Sequence, residues 1–329
     1  MRSVCSLPKA HLHLHTEASA GSEAIVKLAD KKNKVLGNIW DFNDFPSFNQ
    51  AYDKIISLIE EPDDLAFLIH DFVKHEAQQG VVYIEPSIAP QFYTNTFHCS
   101  LEESFSVFLK AYGDAARENG ICFGAIVTVI PQNSEKIIES VLRSALNHKH
   151  DGVVAFGTAG DHECGTKALQ LANFCKIAHE GGLKVIPHAG EFEGPKSIWE
   201  VINTLHPDRI AHGIHAAEDP LLLSYLAKHR IICDVAISSN VRLNIYPSYK
   251  DHPVKELINN GVPVTLNCDD ELFFKSSISN EYEIARGQIG LSDEQIAEIA
   301  RTSIRAATLP VPIASRALEN IDQWLDHRE

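Results

Sequence analysis

The chain has 329 residues, of which 44% are hydrophobic, enough apolar side chain to fill a large core and too much for a disordered polymer. Its formal charge of −15, from 29 Lys+Arg against 44 Asp+Glu with no basic run, excludes a phosphate-backbone footprint and favours a small neutral ligand over nucleic acid. Seven scattered cysteines without a CxxC pair point to neither a disulfide framework nor a cysteine metal site, and so to a reducing cytoplasm. The chain opens with no basic segment followed by an apolar one, and no stretch approaches the ~18 apolar residues of a membrane helix, so we expect neither export nor a membrane span.

Short β-branched runs alternate with helical patterns along the chain, the signature of βα units around a parallel sheet. The runs are Lys9–His15, Val81–Ala89, Ile121–Ile130, Val153–Gly160, Lys184–Gly190, Arg209–His215, Ile231–Ser238 and Pro263–Asp270. Segments such as Leu101–Glu118, Glu135–His148, His162–His179 and Pro220–Lys228 carry apolar residues at three- and four-residue steps. Eight such units predict an α/β fold of the TIM type, a (β/α)8 barrel, with residues 1–329 as one unit. The exception is Thr16–Gln79, where helical pattern fills a long gap between the first two strands. Because the loops after barrel strands build the active site, this helical insertion is expected over the mouth as a lid, with Phe42, Phe45, Phe48 and Tyr52 either lining it or packing its own small core.

The unusual polar residues fall at the C-terminal ends of these strands. His13 and His15 end the first; alternation places side chains at i and i+2 on one face, so both imidazoles can hold one ion. His188 ends the fifth strand and Asp269 the eighth. Three imidazoles and a carboxylate suit one Zn2+ per chain and leave a position for water, whose pKa such an ion lowers towards roughly 7. Glu191, three residues after His188, can supply a proton, since burial would raise its pKa towards neutrality. His212, ending the sixth strand, can orient or deprotonate the nucleophilic water.

Several motifs occur together and in order. Pro8-Lys9-Ala10-His11-Leu12-His13-Leu14-His15 resembles the opening P-K-x-E-L-H-x-H of the adenosine deaminase family of the amidohydrolase superfamily. His188-Ala189-Gly190-Glu191 resembles its H-A-G-E, Ala211-His212-Gly213 its G-H-G, Ser239-Asn240 the end of its C-P-x-S-N, and Leu266-Asn267-Cys268-Asp269-Asp270 its S-L-N-T-D-D. The resemblance covers nearly the whole chain. It implies a metal held by His13, His15, His188 and Asp269, Glu191 as proton shuttle and His212 as electrostatic partner of the nucleophile. It further implies Asp270 at the purine N7, the Gly160 backbone at N3 and Glu17 near a ribose.

Departures from that pattern cluster where substrate choice is made. Thr16-Glu17-Ala18 stands for Leu-Asp/Glu-Gly, His11 for a glutamate, Ala236-Ile237 for Cys-Pro, and Cys268 and Glu271 for Thr and Pro; Tyr83-Ile84-Glu85-Pro86-Ser87 lacks an arginine. The insertion is also shorter. The expected activity is zinc-dependent hydrolytic deamination of a 6-aminopurine nucleoside, adenosine or a close analogue, to the 6-oxo product and ammonia. Free adenine or a modified 6-aminopurine nucleoside is the competing substrate, and association into a homo-oligomer stays open. A hydrolase of another bond would not need Glu191 and Asp270 together, and a barrel that only binds would be expected to have lost one of the six metal and catalytic positions. The paired zinc motifs of cytidine-type deaminases, H-x-E followed by P-C-x-x-C, are not present together, since the chain has no P-C-x-x-C.

Overall fold

The computed structural model describes residues 2–42, 44–160 and 167–326. Ten parallel strand segments form the sheet: β1 (Lys9–His11), β2 (Val81–Ile84), β3 (Ser87–Ile88), β4 (Cys122–Phe123), β5 (Ala125–Val129), β6 (Val153–Thr158), β7 (Lys184–Ala189), β8 (Arg209–His212), β9 (Ile232–Val235) and β10 (Val264–Leu266). Two of the eight expected strands are each broken in two. One break falls at Glu85-Pro86, where proline has no N–H to give the ladder. The other falls at Gly124, where a Cβ would lie 2.2 Å from the Tyr83 hydroxyl. Both staves stay paired through their breaks, Gly124 N–H donating to Ile84 O at 3.0 Å and Ile126 N–H to Pro86 O at 2.9 Å.

The neighbours run β1-β2-β4 and β10-β9-β8-β7-β6-β5-β3. The chain after β1 joins the two sets, because Leu14 bridges Asp269 and His15 bridges Ser87, both in parallel. The ring is therefore a closed eight-stave (β/α)8 barrel of the TIM type. Several staves are shorter than expected from sequence. β1 ends at His11, β8 at His212, β9 at Val235 and β10 at Leu266. His212 (φ 67°) and Gly213 (φ 69°) take left-handed backbone at the end of β8, and Asp269 (φ 63°) does so beyond the end of β10, where extended backbone cannot continue and the chain turns at the mouth.

Helices ring the barrel. α1 (Ser22–Lys31), α2 (Phe45–Ile56) and α3 (Pro62–Gln78) follow β1, and α4 (Leu101–Asn119), α5 (Glu135–Asn147), α6 (Ala168–Glu180), α7 (Pro195–Leu205) and α8 (Pro220–His229) alternate with the strands. α9 (Ile237–Arg242) and α10 (Val254–Asn259) fill the loop after β9; α11 (Glu271–Phe274), α12 (Ile278–Gly287), α13 (Asp293–Ala306) and α14 (Val311–Asp326) follow β10. The first residues of the expected helix His162–His179, 162–166, lie outside the described residues. Within Thr16–Gln79 the helices divide. α3 buries Leu65, Leu68, Ile69, Phe72 and Val73 and packs against α4 in the outer ring, whereas α2 reaches over the mouth. Among the described residues no helix is long and apolar enough to cross a membrane.

The barrel axis below the mouth is packed: Leu12, Ile126, Ile186 and Ala211, with His13 and His188 above them, leave a void of only about 10 Å3. A buried ion network joins the staves. Arg209 donates from Nε to Asp234 (2.7 Å) and from an Nη to Glu85 and to Leu12 O, while Tyr83 and Thr265 hydroxyls satisfy the remaining carboxylate oxygens. Removing one partner of such a network leaves uncompensated buried charge. Arg209→Leu is therefore expected to cost about 3–5 kcal/mol, read as a lower urea midpoint at unchanged slope; a midpoint equal to wild type would contradict this reading.

Candidate active site

Barrel closure brings four side chains to one point. His13 Nε2 lies 3.2 Å from His188 Nε2 and 3.4 Å from Asp269 Oδ1, and His15 Nε2 lies 3.2 Å from the same oxygen. All four ligating atoms fall within 4.8 Å of one another. The backbone sets this spacing: His15 N–H donates to Asp269 O (3.0 Å) and Asp269 N–H to His13 O (3.1 Å). His13 and His15 thus project from the extension of the first stave beyond β1.

The donor set fits a cation. His13 Nδ1 donates to the Asp234 carbonyl at 3.0 Å, an acceptor only, so in the neutral ring Nε2 is the nitrogen whose lone pair is left to face a cation in the cluster. Burial, reinforced by His13, His212 and His15, holds His188 far below the ordinary histidine pKa and therefore neutral, and its Nδ1 is buried without a partner. Burial would raise Asp269, but the His13 and His15 rings facing its Oδ1 outweigh it and hold its carboxyl well below the ordinary carboxylate pKa. Ser239 Oγ donates to its other oxygen at 2.8 Å.

The neighbouring groups approach from the same side. Gly190 has φ 67°, and a Cβ there would meet Ile198 at 2.3 Å; only glycine makes the turn that delivers Glu191. Glu191 Oε2 lies 3.3 Å from His212 Nε2, and Glu191, His212 and Asp269 form a second close group. Asp270 contrasts with its neighbour: burial, then the charges of Asp269 and Glu17, push its pKa well up, and its Oδ1 is buried with no partner.

These groups border a cavity of about 410 Å3, within the roughly 300–1,000 Å3 of small-molecule sites. Its polar end carries Glu17, Glu191, His212, Asp269 and Asp270, with Gly160 at its side. Phe45, Phe48 and Tyr52 of α2 form one wall and Ile88, Phe92 and Ile130 another. Phe42 is not part of the lining; it packs on Phe48, Phe273 and Phe274. Glu17 accepts hydrogen bonds from Tyr52 on α2 and from Tyr93, both at 3.0 Å.

The candidate residues His13, His15, His188, Glu191, His212, Asp269, Asp270, Gly160 and Glu17 thus all meet at this mouth. Tyr93 at Glu17, the bond of Ser239 to Asp269 and His252 behind His212 join the site without any mark in their sequence spacing. His11 turns away from the site. Its Nδ1 bonds Glu76 of α3 (2.7 Å) and its Nε2 accepts Cys268 N–H (3.0 Å), so His11, Cys268 and Glu271, three departures from the family pattern, lie together behind the Asp269 turn.

A family model described as adenosine deaminase matches residues 8–324. The chain belongs to the adenosine deaminase family. It is 34% identical to an adenine deaminase of Chelativorans sp. over 92% of this chain and 94% of that one. It is 32% identical to an aminodeoxyfutalosine deaminase of Streptomyces coelicolor over 98% and 85%. The crystal structure of an adenine deaminase from Arthrobacter aurescens superposes with a TM-score of 0.89 at 26% identity, covering 98% of this chain and all of that one. Membership of the adenosine deaminase family makes this a metal-dependent hydrolytic deaminase, and the His/Asp cluster is able to hold the ion. Asp269→Ala is expected to leave protein dialysed against chelator and then zinc well short of one metal per chain; full stoichiometry would show that Asp269 is not a ligand.

Proposed function

We propose that the protein deaminates a neutral 6-aminopurine, adenosine or a close analogue, using one zinc ion held by His13, His15, His188 and Asp269. The observation that carries this is the junction of that ion-fitting cluster with Glu191, His212 and Asp270, whose Oδ1 is buried without a partner, along one cavity. When bound, the ion supplies a Lewis acid that makes water a nucleophile at neutral pH.

The chain's own residues do the rest. Asp270, its carboxyl pKa pushed well up by burial, would offer N7 a hydrogen bond from its protonated form, and the Gly160 backbone at the cavity side would meet N3. Glu191 gives its proton to N1 as water adds at C6, and recovers one from that water. The C6–N bond then breaks, the amine leaving as ammonia with the proton released by the new hydroxyl, and the purine keeps its N1–H as a 6-oxo product. α2 acts as the lid that excludes bulk water, tied to the barrel through Tyr52, Glu17 and Tyr93, while Glu17 retains lone pairs for a sugar hydroxyl. The six described cysteines are all free thiols, which supports a cytoplasmic enzyme.

Neutrality of the substrate follows from the walls. Glu17, Asp53, Glu191, Asp269 and Asp270 contribute carboxyl groups, and no lysine or arginine occurs among the described lining residues. The segment 161–166 that follows Gly160 contains none either. A phosphate placed beside Glu17 and Asp53 finds no lysine or arginine among the described lining residues to pair with and meets like charge, which costs on the order of several kcal/mol. Ammonia release from adenosine, 2′-deoxyadenosine, adenine and AMP is expected to rank the neutral compounds above AMP by about a hundredfold or more in kcat/KM; AMP as the preferred substrate would overturn this. Adenine outranking both nucleosides would move the assignment to the free base.

Glu191→Gln removes the proton without removing a metal ligand. It is expected to retain one metal per chain and to lower kcat by about a hundredfold or more. Wild-type turnover in that variant would exclude Glu191 as the proton donor.

A further inference from the structure

Behind His212 lies a chain of hydrogen bonds whose directions are forced from its far end. Val254 N–H donates to His252 Nδ1 at 3.2 Å. A backbone N–H only donates, so Nδ1 is bare and the proton of His252 sits on Nε2. Burial pushes the His252 pKa down to about 3, consistent with a neutral ring. Nε2–H faces the Asn240 side chain at 3.0 Å, which must present its oxygen there. The Asn240 amide N–H is thereby turned to His212 Nδ1, at 3.4 Å. Nδ1 accepts, and the single proton of neutral His212 is left on Nε2, 3.3 Å from Glu191 Oε2. All three side chains are buried, so water does not compete for these bonds.

We propose that Asn240 and His252 are positioning residues that fix His212 as an Nε2–H donor towards Glu191 and the attacking water. This rests on the deaminase reading for its chemical meaning, though not for its geometry. His212 then orients the nucleophile and does not take its proton at Nε2, where one is already bound; that proton goes to Glu191. The scaffold makes the relay specific. Left-handed backbone at His212 aims the ring inward, Asn240 sits on α9, and His252 stands just before α10.

Long-range 1H–15N correlation on zinc-loaded protein with 15N-labelled histidine reads the tautomer directly, with His212 assigned by the signals that vanish in His212→Asn. The expected result is a protonated Nε2 and a bare Nδ1; a proton on Nδ1 overturns the proposal without any variant being made. Asn240→Asp is the isosteric reversal. One carboxylate oxygen still accepts from His252, and the other now demands a proton from His212 Nδ1, leaving Nε2 bare. The variant is expected to keep one metal per chain, to show the flipped tautomer, and to lose about a hundredfold or more in kcat, with KM within about threefold. A flipped tautomer with native turnover would also overturn the positioning role. Should wild type show the Nε2 proton while no 6-aminopurine is deaminated, the relay stands and the substrate reading falls.

Discussion

The backbone pairing between the first and last staves does two jobs at once. His15 N–H to Asp269 O and Asp269 N–H to His13 O close the barrel, and the same two bonds set three of the four ligating side chains at contact distance. The fourth, His188, arrives because parallel strands all end at the same rim. Site assembly is therefore not a separate folding event: whatever closes the ring builds the cluster. The buried Arg209 network below it serves the same end, binding β8 to the carboxylates of Glu85 and Asp234 and to the Leu12 carbonyl in the first stave.

Environment then divides like residues into unlike roles. Asp269 and Asp270 are adjacent carboxylic acids, yet two facing histidine rings pull the pKa of the first well down while burial, with the Asp269 charge beside it, pushes that of the second well up. The histidines divide likewise. His13 presents a bare nitrogen because a carbonyl takes its proton on the other side, and His212 presents an N–H because an amide gives one. Cation-holding and hydrogen-bond donation are thus set by partners outside the pocket, which is why the outer shell matters as much as the lining.

Much of this was legible in the sequence because it depends on strand periodicity and on where strands end. The two-residue spacing of His13 and His15, the Glu191 that follows His188, and the paired aspartates each announced themselves locally. The exact strand limits did not, since the left-handed pair His212 and Gly213 ends β8 short of the His215 that the β-branched pattern reaches. Partners far apart in the chain were also hidden. Tyr93 meets Glu17 across 76 positions, and His252 reaches His212 only through Asn240 on another element. His11 looked like a neighbour of the ligands, but its bond to Glu76 shows it facing the helix layer. Likewise α3, grouped with the insertion by pattern, packs on α4 in the outer ring, and only the fold distinguishes it from α2 over the mouth.

The central claim is that one cation in the His13, His15, His188 and Asp269 cluster makes this barrel a 6-aminopurine deaminase. The most direct test is to strip the protein with chelator, titrate zinc back, and follow ammonia release from adenosine and adenine at each addition. The account predicts no release without metal and a linear rise that breaks sharply at one equivalent per chain. Turnover that persists in the stripped protein, or that keeps rising to a second equivalent, would contradict it.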